Sequence, residues 1–301
     1  MKLVYDPEGE NKKEEIKNEA EEHVLSKDIS IKDEIKKQRK SLKGRPFKEK
    51  FAYYKDYYLI ITIAVIAVVA FVVYLISSIA SNKDYCFYAN IVNATNIDST
   101  LLSEGFAEYA SLDTENYNCF IDSASYESLD GTSTSDIGLQ TRFVGLIATG
   151  DLDVTVFNSE LFYRKAINDI YLDLRDVLSD DELKAYEDKD MIYYIDRAEI
   201  TAAEENDDVI LEENTDSDMT LEEQAEELKL HTDPSSMEDP IPIGIVLSSS
   251  PLVTELDAYP GLIPVFGIIA NSSHIDNSLS FLNYILDESV DFTKMSSDSY
   301  Y

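Results

Sequence analysis

The chain has 301 residues, with 25 basic and 59 acidic side chains and a formal charge of −34. Residues 1–56 carry a net +2, residues 81–301 carry −36, and no charged residue lies from Tyr57 to Asn82. This distribution excludes a simple soluble domain, and it argues against nucleic acid as partner of the acidic part. At 28% charged and 44% apolar residues, a polytopic membrane protein is excluded as well.

Residues 1–56 read as a cytoplasmic charged arm. Its apolar stripe (Ile16, Ala20, Val24, then Ile31 and Ile35) is too narrow to build a core, so a solvated, partly helical segment is expected. Residues 57–80 read as a transmembrane helix. At about 1.5 Å per residue they span roughly 36 Å, enough for a hydrocarbon core of about 30 Å. From Lys36 to Lys55 there are nine Lys or Arg and one acid, Glu49. Positive flanks stay inside, which predicts a single-pass protein of the cell membrane, N-terminus cytoplasmic and C-terminal domain extracellular. Tyr53, Tyr54, Tyr57 and Tyr58 form an aromatic belt at the inner headgroups. Phe47, Phe51, Tyr54 and Tyr58 recur at helical spacing, so an interfacial helix is expected to lead into the span. Ser78-Ile79-Ala80 fits a small-x-small cleavage site, but the long leader and long apolar run favour an uncleaved anchor.

Beyond the span the pattern is α/β. Residues 85–92 read as a strand. A helix follows, capped by Asp98 or Ser99, with Leu102, Phe106 and Tyr109 on one face. Residues 117–122 are a second strand. A helix from Ser135 or Asp136 then carries Ile137, Thr141, Val144 and Ala148 on its expected core face, widened by Phe143, Leu146 and Ile147, and ends at Gly150. Residues 151–157 are a third strand, leading into a helix from Ser159. Later come a capping box at Ser179 to Glu182, strands near 191–195, 241–247 and 264–270, and a helix with Ile275, Leu279, Leu282 and Leu286 buried. Residues 199–239, with sixteen acids and one base, read as an acidic insertion holding a short helix capped by Thr220 and Glu223. Residues 291–301 read as a flexible tail.

Several segments within 83–290 resemble the extracellular solute-binding proteins of ABC transporters. These are Gly150-Asp-Leu-Asp-Val-Thr-Val-Phe-Asn158, Phe162-Tyr-Arg-Lys-Ala166 and Tyr171-Leu-Asp-Leu174, then Pro264-Val-Phe-Gly-Ile-Ile-Ala-Asn-Ser272 and Phe281-Leu-Asn-Tyr-Ile285. The resemblance implies a type II periplasmic-binding-protein fold, two α/β lobes around a cleft. About 220 external residues are few for two full lobes, so a reduced second lobe is expected.

Open α/β sheets bind ligands in the crevice outside the carboxyl ends of their strands. The candidate ligand-binding residues are therefore Asn93, Thr95, Ser123, Asn158, Ser159 and Asn271, with Arg197 where the chain would cross between lobes. With no Trp present, Tyr88, Tyr126 and Tyr163 are the candidates for stacking on a sugar. No catalytic constellation, metal site or cofactor motif is expected. His231 and His274 read as solvated. The segment Asn214-Thr-Asp216-Ser-Asp218 starts like a calcium loop but has Met219 where Gly is needed and Ala225 where a bidentate Glu is needed. Cys86 and Cys119 lie in neighbouring predicted strands, so either a disulfide or two free thiols fits.

Two functions follow as expectations. The first is noncatalytic capture of a small neutral or cationic solute, or service as an accessory to a transporter. The second is a cell-envelope interaction or structural protein whose degenerate binding fold holds no small ligand. Partners are the lipid bilayer and a membrane or envelope protein in either case.

Overall fold

The structure is a computed structural model that describes residues 46–57, 59–81, 83–129, 131, 133–205 and 221–297, with scattered positions between 33 and 44. The arm's apolar stripe, His23, Tyr58, the calcium-like segment and the Thr220 cap lie outside the described residues. The chain divides into two compact units, Met1–Asn82 and Lys83–Tyr301.

In the first unit, helix α1 (Phe47–Tyr57) precedes helix α2 (Leu59–Ser81). Phe47 and Phe51 stack one turn apart on α1, and the Tyr54 hydroxyl donates to Thr62 Oγ1 at 2.5 Å. The stretch Leu59–Ser77 is long and apolar enough to cross a membrane, and none of it is buried. The side chains of Tyr53 and Tyr57 in the expected belt are not among those described.

The second unit contains six strands: β1 (Tyr85–Ile91), β2 (Asn118–Asp122), β3 (Val154–Asn158), β4 (Ile192–Asp196), β5 (Pro240–Val246) and β6 (Pro264–Ile268). They form one mixed sheet in the order β2-β1-β3-β6-β5-β4. β1 runs parallel to β2 and β3, whereas β6, β5 and β4 alternate in direction beyond β3. All described strands belong to this sheet, so the two-lobed arrangement implied by the resemblance is not what the second unit adopts. The physical reason is pairing. β6 hydrogen-bonds β3 along five residues, joining the late strands to the early ones instead of leaving them a sheet of their own.

Helices cover both faces. On one face α3 (Ser99–Tyr109), α9 (Pro251–Leu256) and α10 (Ile275–Leu286) close over Phe87, Ala89, Ile91, Val154, Val156 and Phe266. On the other face α4 (Thr134–Thr149), α5 (Ser159–Ala166) and α8 (Leu221–Thr232) cover Tyr88, Phe157, Tyr193, Ile243 and Val265. Helices α6 (Asp180–Glu187) and α7 (Arg197–Glu205) flank β4. Helix starts follow local chemistry. Asp98 caps α3 by accepting from Thr100 and Leu101, while Ser133 with Asp136 and Ser179 with Glu182 are reciprocal capping boxes. Gly150 ends α4 in the left-handed region at φ 73°, as its sequence position predicts.

Three expectations need correction. On α4 the expected widening residues face the core, Phe143 buried and Leu146 and Ile147 half-buried, whereas Ile137, Thr141, Val144 and Ala148 are exposed (Ile137 56%, Val144 65%), and the helix starts at the Ser133 cap instead of Ser135 or Asp136. Residues 291–297 of the expected tail are packed on the fold. Phe292 is fully buried in a 3-10 turn (Phe292–Met295), its amide donates to Glu255 Oε2, and Ser296 bridges to Ile97. The stretch 199–239 also holds more helix than expected, since α7 runs to Glu205; in α8, Ala225 and Leu228 of the expected face pack on the sheet, and the buried Gln224 donates to Gly261 O at 3.2 Å.

Candidate functional site

The chain leaves β1 to β2 through α3 on one face and reaches β3 through α4 on the other. The carboxyl ends of β1 and β3 therefore form a topological switch point, where such sheets bind ligands. Asn93 follows β1 in the left-handed conformation (φ 62°), which Asn tolerates better than most residues. Its backbone amide donates to Ser125 O, its Oδ1 accepts from Glu127 N, and its Nδ2 donates to Glu127 O, each at 2.9–3.0 Å. That bracket lays the segment after β2 across the mouth. Nδ2 also lies 3.4 Å from Asn158 Oδ1, so of the candidate residues Asn93 and Asn158 are brought together.

The mouth is filled by the chain's own groups. Glu127 accepts from Lys165 Nζ at 2.7 Å and from Gln140 Nε2 at 3.3 Å. The Lys165 ammonium lies 5.4 and 5.7 Å from the Phe143 and Phe157 ring centres, within cation–π reach. On the opposite face the Tyr259 hydroxyl closes on Val92 O (2.9 Å), just past β1, and Val156 O (3.3 Å), within β3. Asp136 accepts from the hydroxyls and amides of both Ser128 and Ser133, and these bonds hold its carboxyl down to about 2. Asp122 accepts from Arg142 at 2.9 Å and from Ser125, and Arg142 also reaches the Tyr88 hydroxyl. Burial pushes the Tyr88 phenol up to about 12 despite the Arg142 charge beside it.

Between Asp122 and Thr155 in the strand register sits Asn90, buried. Its Oδ1 is the one buried side-chain oxygen or nitrogen without a hydrogen-bond partner among the described residues. Thr155 Oγ1 pairs with the Tyr171 hydroxyl at 3.0 Å. The sequence reading missed Glu127, Lys165, Gln140 and Tyr259. For Glu127, Lys165 and Gln140, charged and amide residues in turns and on helices carry no local mark of burial, and the folding of residues 123–128 over the mouth brings them together; Tyr259 is buried from the other face.

The remaining expected site residues serve the scaffold. Thr95 Oγ1 lies 3.2 Å from Asp257 O, tying the β1 loop to the end of α9. Ser123 contacts Ser99 Oγ (2.7 Å) and Ile97 O. Ser159 opens α5, its amide bonded to Ile263 O at 2.8 Å. Arg197 and Asn271 follow β4 and β6, which run against β1 and β3, so both lie at the opposite end of the sheet. There Arg197 Nε donates to Asp239 at 2.9 Å, and Asn271 Nδ2 caps the end of α4 through Ile147 O at 2.6 Å. The tyrosines are likewise scattered: Tyr88 is buried, Tyr126 exposed, and Tyr163 donates to Glu199 at 2.8 Å.

Both histidines are built into the fold instead of being solvated. His231 stacks on Tyr193 with ring centres 4.6 Å apart and its Nδ1 3.1 Å from Tyr194 O. His274 Nδ1 lies 3.1 Å from the fully buried Asp153, which also accepts from Ser272 Oγ (2.6 Å) and Tyr88 N (2.8 Å). The Ser272 hydroxyl therefore points at the carboxylate and not at the imidazole. A nucleophile–base relay needs the reverse order. Cys86 and Cys119 are free thiols, and burial pushes Cys119 up to about 12. No group of three or more His, Cys, Asp or Glu among the described residues is placed to hold a metal ion.

A cavity of about 680 Å³ lies between α3 and β2, and a smaller one of about 340 Å³ lies between α8 and the β4–α7 junction. The chain is thus an apolar helix followed by a six-stranded mixed α/β unit whose switch-point mouth is self-filled. In comparisons with known proteins it matches no family, no curated protein and no solved structure.

Proposed function

We propose that this chain is a single-pass membrane protein, N-terminus cytoplasmic, that displays residues 83–301 outside the cell as a noncatalytic interaction domain and holds no small ligand. The observation that carries this reading is the Glu127–Lys165 pair under the Asn93 bracket. It occupies the crevice in which a solute-binding sheet would seat its ligand. A single sheet agrees with it, because a two-lobed binder closes a second sheet over its solute. Orientation rests on the basic flank from Lys36 to Lys55 ahead of the apolar helix.

The test is a thermal-shift screen of the full chain in detergent against sugars, amino acids, short peptides and divalent cations. A ligand bound only by the folded state adds about 2.7 kcal/mol at 100 times its dissociation constant. No sugar or amino acid is expected to shift the transition. A saturable shift from one such class, abolished by Asn93→Ala, would replace this reading with solute capture.

A further inference from the structure

The open edge of the sheet at β2 is capped over only part of its length. In a parallel ladder alternate residues turn their amide and carbonyl away from the neighbouring strand. On β2 these are Cys119 and Ile121, followed by Ser123. Two serines one turn apart on α3 blunt the far half of the edge. Ser103 Oγ accepts from Ile121 N at 2.9 Å and Ser99 Oγ from Ser123 N at 3.0 Å. The Cys119 amide has no such cap among the described hydrogen bonds; its thiol turns to Ser103 O. Beside this uncapped half runs the 680 Å³ groove between α3 and β2. The charged side chains lining the groove are Glu104 and Glu108, both exposed. Lys83 reaches one end, where its ammonium is held by Thr114 O at 2.9 Å. Phe120 and Tyr117 add exposed aromatic surface.

The geometry points to a seventh strand at this edge: an extended basic segment of a partner protein pairs its backbone with Cys119 and sets basic side chains against Glu104 and Glu108. This names the kind of partner for the interaction domain proposed above and rests on that reading. Strand side chains alternate between faces. The matching segment therefore alternates basic residues, toward α3, with apolar residues, toward Phe120. Main-chain bonds supply affinity in such strand addition, and side-chain positions supply selectivity.

The experiment uses the full chain in detergent micelles and a fluorescein-labelled hexapeptide of alternating Lys and Val, read by fluorescence anisotropy. Saturable binding is expected, and methylating alternate peptide nitrogens should weaken it at least about tenfold by removing ladder donors while keeping every charge. The double variant Glu104→Lys, Glu108→Lys should weaken it about tenfold and gain affinity for the alternating Glu–Val peptide. Absence of binding, binding that survives N-methylation, or indifference to the charge reversal each overturns the seventh-strand assignment. Such a failure leaves the interaction reading standing, because the solute screen tests that separately. A saturable solute shift would remove both.

Discussion

Glu127 and Lys165 meet at 2.7 Å with side chains only 4% and 15% exposed, so each depends on the other for the solvation it has lost. Removing one partner strands a buried charge. Lys165→Met should lower stability by about 3–5 kcal/mol in urea denaturation, and adding Glu127→Gln should recover most of that loss. Asp136 behaves differently, because its folded-state value is held below the ordinary 3.8 by Ser128 and Ser133. A depressed carboxylate contributes stability that is complete above the unfolded value and lost as pH falls through the folded value, here about 2. Stability of the wild type should therefore fall between about pH 4 and pH 2 in a way that Asp136→Asn removes, the two proteins converging at the acid end. A variant as pH-sensitive as the wild type would show that Asp136 is not the titrating group.

Among the elements, α4 shows where local pattern and packing part. It carries apolar residues on more than one side, and spacing favoured Ile137, Thr141, Val144 and Ala148 with Phe143, Leu146 and Ile147 only widening that face. Arg142 reaching Asp122 and Gln140 reaching Glu127 set the helix rotation, turning Phe143 inward and Ile137 out. Ile137→Ser should accordingly change stability by less than about 0.5 kcal/mol, while Phe143→Ala should cost about 3–5 kcal/mol. Equal costs would mean the helix is rotated differently. The β5–β6 pair has a comparable constraint. A Cβ on Gly267 would stand 2.7 Å from both Phe162 and Tyr171, whose rings stack at 4.3 Å. Gly267→Ala should cost about 1–3 kcal/mol by thermal denaturation. In the sequence this glycine looked like any residue of an apolar strand, because the rings that need it come from α5 and the segment before the 3-10 turn at Leu174.

For the whole molecule, the proposed topology makes a direct prediction. Protease added to sealed, right-side-out cells should remove residues 83–301 and spare residues 1–56. Digestion of the basic arm under those conditions would reverse the orientation. All six strands were legible in the sequence, as were the capping residues Asp98 and Ser179, the helix-ending Gly150 and the long uncharged helix, whereas the Ser133 cap was placed at Ser135 or Asp136. Of the candidate site, Asn93 and Asn158 were legible only as separate positions after the first and third strands; Asn271 lies at the opposite end of the sheet, and Arg197, expected at a crossing between lobes, follows β4 in the same sheet. By itself the sequence determined the strands and most of the helices, since capping, period and the absence of charge act over a few neighbouring residues, but it did not show the helices Arg197–Glu205 and Pro251–Leu256. The tertiary structure alone decided the directions of β4, β5 and β6, the rotation of α4 and the filling of the switch-point mouth. A period-two pattern reads the same in either direction, so strand orientation is settled only by which distant strand it pairs with. That choice determines which loops share an edge and which charges are buried together.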